Sequence, residues 1–144
     1  MSDELNGTPP ISFYIVAGVF LFFNVTGLIF YYQQMTLTPQ MLQGLDASTI
    51  AFMEATPVWA TSGYAIAVNA GVVASIVLLL RKAWALPVYI VSFAGVLTQD
   101  FDAFVLRDAV GVWGSSAYYV PSVVLVMCLV EIWYSRSVAN RYYR

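Results

Sequence analysis

The chain contains no histidine. Histidine-based acid–base catalysis and histidine-ligated metal or haem are therefore excluded. It contains one cysteine, Cys128, so no internal disulfide can form and thiol usage gives no redox compartment. Charged residues are scarce at 10%, and the net charge of −2 leaves no basic surface for nucleic acid. A carboxylate-only metal site has little to build on, and neither a metal nor any other cofactor is expected. Without histidine or a recognisable nucleophile next to an activating base, the chain is not expected to be an enzyme.

Apolar residues, by contrast, are abundant. They make up 60% of the chain, against the ~45–50% typical of soluble domains. They gather in four runs, 11–32, 57–80, 83–106 and 117–134. Each is near the ~20 residues that cross ~30 Å of hydrocarbon as a helix, and helices satisfy their own backbone hydrogen bonds in lipid. The expected fold is all-α, an integral membrane four-helix bundle forming a single transmembrane domain over 1–144, with the lipid bilayer as its surroundings. The opening segment MSDELNGTPP is acidic and polar, unlike a secretory signal, so the first run is expected to be a retained helix. The sequons Asn6-Gly7-Thr8 and Asn24-Val25-Thr26 carry no expected glycan, the second lying in mid-membrane.

The few basic residues set an expected orientation. Arg81 and Lys82 follow the second run, and Arg136, Arg141 and Arg144 follow the fourth; only Arg107 lies on the other side. The positive-inside rule then makes the 81–82 turn and both termini cytoplasmic, in a bacterial inner membrane, with the 33–56 and 107–116 loops outside. Pro57, Pro87 and Pro121 fall near the opening turns of their runs, where proline's missing N–H costs little. In the first loop, Thr38-Pro39 reads as N-cap and first helical residue, Gly44 as a stop, and Asp46 as the cap of a second segment through Ala55. Short helices along the outer membrane surface are expected there, as a connector or as a lid over an outward cavity. Trp84, Trp133, Tyr134, Tyr142 and Tyr143 suit an inner aromatic belt; Tyr31, Tyr32, Trp59, Trp113, Tyr118 and Tyr119 suit an outer one.

Small residues mark where helices approach closely in lipid. Gly63, Ala67, Gly71 and Ser75 recur every four residues in the second run, and Gly95 lies in the third. The stripe reads as packing within one bundle or as a homodimer seam. Asn69 lies beside it and Asn24 lies in the first run, placed to bond each other or a neighbouring backbone. In the third run Ser92, Gly95, Gln99 and Asp102 share one helix face, while Asp100 is turned roughly 200° from Asp102 at ~100° per residue. The two carboxylates are therefore not a paired-acid catalytic site. Asp100, Phe104 and Arg107 share a face. Asp100 lies ~24 Å along its helix at ~1.5 Å per residue, near the outer edge of the hydrocarbon, with Asp102 close enough to meet water. These acids read either as interfacial charges beside a salt bridge or as a site at the outer mouth. Glu131 is expected to snorkel toward Arg136 at the inner interface.

Three signatures carry a resemblance: the loop Tyr31-x-Gln33-x-Met35-x-x-Thr38-Pro39, the opening Glu54-x-Thr56-Pro57-x-Trp59, and the turn Arg81-Lys82-x-Trp84-Ala85. With the intervening EATPVWATSGYAIAV and LLLRKAWALPVYIVSFAGVLTQ, the chain resembles a family of small bacterial four-helix membrane proteins often labelled "sugar transporter" or "membrane protein". The resemblance implies no site residues. Two functions stay open. One is a structural or accessory bundle, working as a homo-oligomer or within a larger membrane complex, favoured by an expected lack of central charge, by the short connections and by the small-residue stripe. The other is a small-solute transporter, with sugar as one candidate, acting as an oligomer through a path lined by Asn24, Asn69, Gln99, Asp100, Asp102 and Arg107. The first run has no acid, so the mechanism of small multidrug exporters, which place a glutamate there, does not carry over.

Overall fold

A computed structural model describes residues 7–142; the expectations for Asn6, Tyr143 and Arg144 lie outside the described residues. The four apolar runs become four long helices: α1 (Ile11–Met35), α4 (Val58–Leu79), α5 (Ala85–Asp100) and α7 (Tyr119–Tyr142). Two short helices, α2 (Pro39–Leu42) and α3 (Ala47–Glu54), fill the first loop, and α6 (Ala109–Trp113) follows α5. Among the described residues there is no strand. Four helical stretches are long and apolar enough to span a membrane, with α5 extended to Leu106 and α7 preceded by the short turns from Ala109.

The local signals act as read. Pro57 is the N-cap of α4, and Pro87 and Pro121 sit in the first turns of α5 and α7. The Thr38 side chain accepts from the Met41 N–H at the start of α2, and Asp46 accepts from the Thr49 N–H at 2.6 Å at the start of α3. The fourth helix runs eight residues past its apolar stretch, to Tyr142, because polar residues there keep an inward face of Cys128, Glu131, Ser135 and Val138. The α4–α5 turn is tight: Arg81 takes a left-handed conformation (φ 60°) and its Nε donates to the Tyr142 carbonyl at 3.0 Å. The helices pack in the order α1–α4–α5–α7, a fan whose outer pair, α1 and α7, meets through side chains.

The small-residue stripe is the spine of that fan. Gly63, Ala67, Gly71 and Ser75 are all buried against α5 and α1, so this face is used inside the bundle and is not free to form a homodimer seam. A Cβ on Gly95 would lie 2.6 Å from the Gly63 carbonyl oxygen and 2.8 Å from the Ala67 nitrogen; only glycine lets the α4 and α5 backbones come this close. A Cβ on Gly71 would meet Asn24 Oδ1 head-on, so Gly71 makes room for that amide.

Gly95→Ala must push two backbones apart and is expected to cost about 1–3 kcal/mol of stability. Gly27→Ala, whose Cβ meets only Val68 Cγ1 at 3.6 Å, should stay within about 0.5 kcal/mol. Thermal denaturation in mild detergent distinguishes them; equal melting of the two variants would refute the close α4–α5 approach.

A buried polar network and a lateral chamber

Inside the fan, polar groups from all four long helices gather. Asn24, at the centre of α1, donates from Nδ2 to Glu131 Oε1 at 2.6 Å, to the Phe20 carbonyl at 2.9 Å and to Ser75 Oγ at 3.3 Å. Ser75 in turn shares a 3.0 Å hydrogen bond with the Tyr89 hydroxyl, so α1, α4, α5 and α7 meet at one cluster. Glu131 is 1% exposed. This corrects its expected place at the inner surface with Arg136. Residues five apart on an α-helix face ~140° apart, and Arg136 is exposed on the outside while Glu131 turns inward. The bundle therefore does hold an acid well inside, ~16 Å along α7 from Tyr142 at ~1.5 Å per residue.

Asn69 does not join this cluster. It lies two residues from both Ala67 and Gly71, hence roughly 200° round the helix from the stripe. It is exposed on the outside of the bundle and donates back to the Ala65 carbonyl at 2.8 Å. The pairing of Asn24 with Asn69 is thus replaced by Asn24 with Glu131. Tyr134 and Tyr142 also turn inward rather than serving only a belt: Phe13 lies 6.4 Å and 5.6 Å from them, and Phe20 lies 5.6 Å from Tyr134.

At the other end the helix following α5 widens. Phe101–Leu106 is π-helical, and the Arg107 N–H donates to the Asp102 carbonyl at 3.0 Å, five residues back. Residues five apart then share a face, so Arg107 pairs with Asp102, although regular α-helical spacing puts it on the face of Asp100. Arg107 Nε lies 2.6 Å and Nη2 2.5 Å from Asp102 Oδ2. Asp102 is 1% exposed and does not meet water as expected. Arg107 also donates through Nη1 to the Phe52 carbonyl at 2.5 Å, and its guanidinium lies 4.0 Å over the Phe52 ring. Phe52 packs on Trp113, whose Nε1 donates to Thr49 Oγ1 at 2.9 Å. The loop helix α3 is thereby held over the Arg107 end of the bundle by groups from α5 and α6. No motif signalled these contacts.

Two cavities lie between these clusters. One, about 430 Å³, sits under α3 and is lined by Phe52, Thr61, Phe104 and Arg107 among others. The second, about 400 Å³, lies between α1 and α7, with Asn24, Phe23, Phe30, Val124 and Cys128 in its wall. Both are lined by Tyr64, Gln99, Asp100, Val120 and Pro121, so Asp100 and Gln99 stand where they adjoin. Asp100 Oδ2 is shielded from solvent and has no hydrogen-bond partner. Of the sequence-selected polar residues, Asn24, Gln99, Asp100 and Arg107 line this chamber, Asp102 braces it through Arg107, and Asn69 lies outside. Among the described residues no group of three or more acids or cysteines is placed to hold a metal ion. No family model, curated protein or solved structure matches the chain.

If Asn24 and Glu131 are bonded as described, their double-mutant cycle with Asn24→Leu and Glu131→Leu should give a coupling above about 1 kcal/mol, since bonds to an acid exceed the ~0.6 kcal/mol mean for membrane interiors. Additive effects in thermal or denaturant unfolding would refute the bond. The seating of α3 gives a second expectation. The Thr49 N–H and the Ser48 hydroxyl, in that order, hold the Asp46 carboxyl below its ordinary value of 3.8. A lowered folded-state value means the cap is fully present above pH 3.8 and is lost as pH falls through the lower value. Amide exchange at Thr49 should therefore stay slow at pH 5 relative to intrinsic rates and lose protection only below pH 3.8; a loss beginning above pH 5 would contradict the cap.

Proposed function

We propose that this chain is a small-solute binding and transport protein of the bacterial inner membrane, with both termini cytoplasmic and the Arg107 end facing outward. The observation that carries this reading is the chamber, in which two adjoining cavities of about 430 and 400 Å³ share an inward acid and amide, Asp100 and Gln99. Each lies within the ~300–1,000 Å³ range of ligand sites. The slot between α1 and α7 supplies a side opening toward lipid, and the cavity under α3 supplies an approach from the membrane surface. The accessory-bundle reading loses one of its three supports, because the interior holds Glu131 and Asp102 rather than lacking charge. Glu131 and Asp102 are each engaged by a neighbour, but the shielded Asp100 oxygen has no partner, and an inward acid without a structural partner is a functional candidate by default.

The lining also bears on the solute. Phe23, Phe30, Val68, Val96, Val123 and Val124 make most of the wall between α1 and α7 apolar. A sugar, which needs many hydrogen-bonding partners, fits this poorly; a solute with a substantial apolar body fits it well. The family label "sugar transporter" is therefore the less favoured substrate reading. Transport by an assembly of copies is consistent with the small size of one four-helix unit.

A ligand held at about 100 times its Kd stabilises a folded protein by about 2.7 kcal/mol. For a chain of this size that is a rise of several degrees in melting temperature. Amphipathic solutes screened against the purified protein should include ones that give this rise and that cross liposomes containing it. Val124→Trp, filling the slot, should abolish both effects without lowering the melting temperature of the free protein. A broad panel giving neither stabilisation nor flux, on monodisperse protein, would return the accessory reading to first place.

A further inference from the structure

Resting on that reading of the chamber, we infer that its solute is a monovalent organic cation with an apolar or aromatic body, met by the Asp100 carboxylate. The charges around the chamber decide this. Asp102 is matched by Arg107, whose remaining nitrogens are engaged by the Phe52 carbonyl and ring. Asp100 is half-buried and its Oδ2 is shielded without a hydrogen-bond partner, and no cation other than the engaged Arg107 lines either cavity. A carboxylate oxygen shielded from water and left without a partner is costly. A bound cation removes that cost, whereas an anion would add to it, and a neutral solute would leave it unchanged.

The other features narrow the class. One unmatched carboxylate balances one positive charge, so a dication would arrive with a charge in excess. An inorganic ion would leave the apolar wall between α1 and α7 without an occupant. Tyr64 and Phe104 present aromatic rings in the same chamber, and such rings attract ammonium and phosphonium groups as well as apolar bodies. Gln99, beside Asp100 in both cavities, offers a carbonyl to an N–H of a protonated amine. The wall between α1 and α7 takes the apolar remainder of the molecule.

Three probes of similar shape and different charge test this on the purified full chain: tetraphenylphosphonium, tetraphenylborate and neutral triphenylphosphine oxide. Binding is measured by equilibrium dialysis in mild detergent, corrected for partition into protein-free micelles. Tetraphenylphosphonium should bind at least tenfold more tightly than the other two. Asp100→Asn should remove that preference, and Asp100→Glu should largely keep it. Because Asp100→Asn removes only a charge, its melting temperature checks that it is folded. Should it fail to fold, the charge series on the unaltered protein together with Asp100→Glu decides the matter. Equal binding of all three probes, or undiminished phosphonium binding by folded Asp100→Asn, overturns the cation assignment and leaves the chamber as a solute site. Failure of all three to bind overturns the chamber reading itself.

Discussion

A buried hydrogen bond between α1 and α7 organises this bundle. The helices form a fan, α1–α4–α5–α7, in which the outer pair, α1 and α7, stand farther apart than the helices that pack directly. The Asn24 amide reaches across this gap to Glu131 at 2.6 Å, and the Phe13, Phe20, Tyr134 and Tyr142 rings join the same two helices between that bond and the Tyr142 end. In lipid, apolar surfaces gain little by meeting each other, because hydrocarbon chains are as apolar as leucine. A buried amide and a buried acid have no comparable alternative in hydrocarbon, so they specify which helices meet and in what register. The rest follows from this contact. Gly71 must be small to admit Asn24, Ser75 and Tyr89 extend the network to α4 and α5, and the gap between α1 and α7 widens beyond it into the chamber.

The two ends of the chamber are thus secured by different chemistry. Along its back, α4 and α5 are joined through glycine contacts so close that even a methyl group displaces backbone. That wall is rigid, since packed interiors do not deform continuously. At the Arg107 end α3 is held by side-chain contacts: Phe52 under the guanidinium and Thr49 under Trp113. These are few and lie at the surface, so releasing α3 costs far less than separating α4 from α5. Mobility is therefore to be sought in α3 and in the α1–α7 gap, while the α4–α5 pair provides the frame against which they move.

Much of this was legible in the chain. The four spans, the three opening prolines, the Thr38 and Asp46 caps and the small-residue stripe all follow from local rules, in which composition and spacing act within a turn or two. What escaped depends on relations that spacing does not contain. Regular helical geometry puts Arg107 on one face with Asp100; the π-helical turn shifts the register and delivers Arg107 to Asp102 instead. Glu131 was placed at the surface by its nearness in sequence to Arg136, although five residues of α-helix turn the two apart. The recurrence of Cys128, Glu131, Ser135 and Val138 at steps of three and four was the available signal for its burial. Asn69 erred in the opposite sense, since two residues from the stripe means the opposite side of the helix.

The interior acids are not equivalent, and the difference bears on why they are there. Asp102 neutralises Arg107 and, through it, seats α3. Glu131 accepts from Asn24 and joins α1 to α7. Each has a structural task that an apolar residue could not perform, so folding alone accounts for both. Asp100 has no such task. Its shielded oxygen bonds to no group, it anchors no neighbouring helix, and it stands where the two cavities adjoin. For stability alone an apolar residue of similar volume would serve at least as well, because it would avoid the desolvation of a carboxylate without losing a partner. A group that costs stability and secures nothing is what a binding site requires before its ligand arrives, and among the interior acids Asp100 alone meets that description.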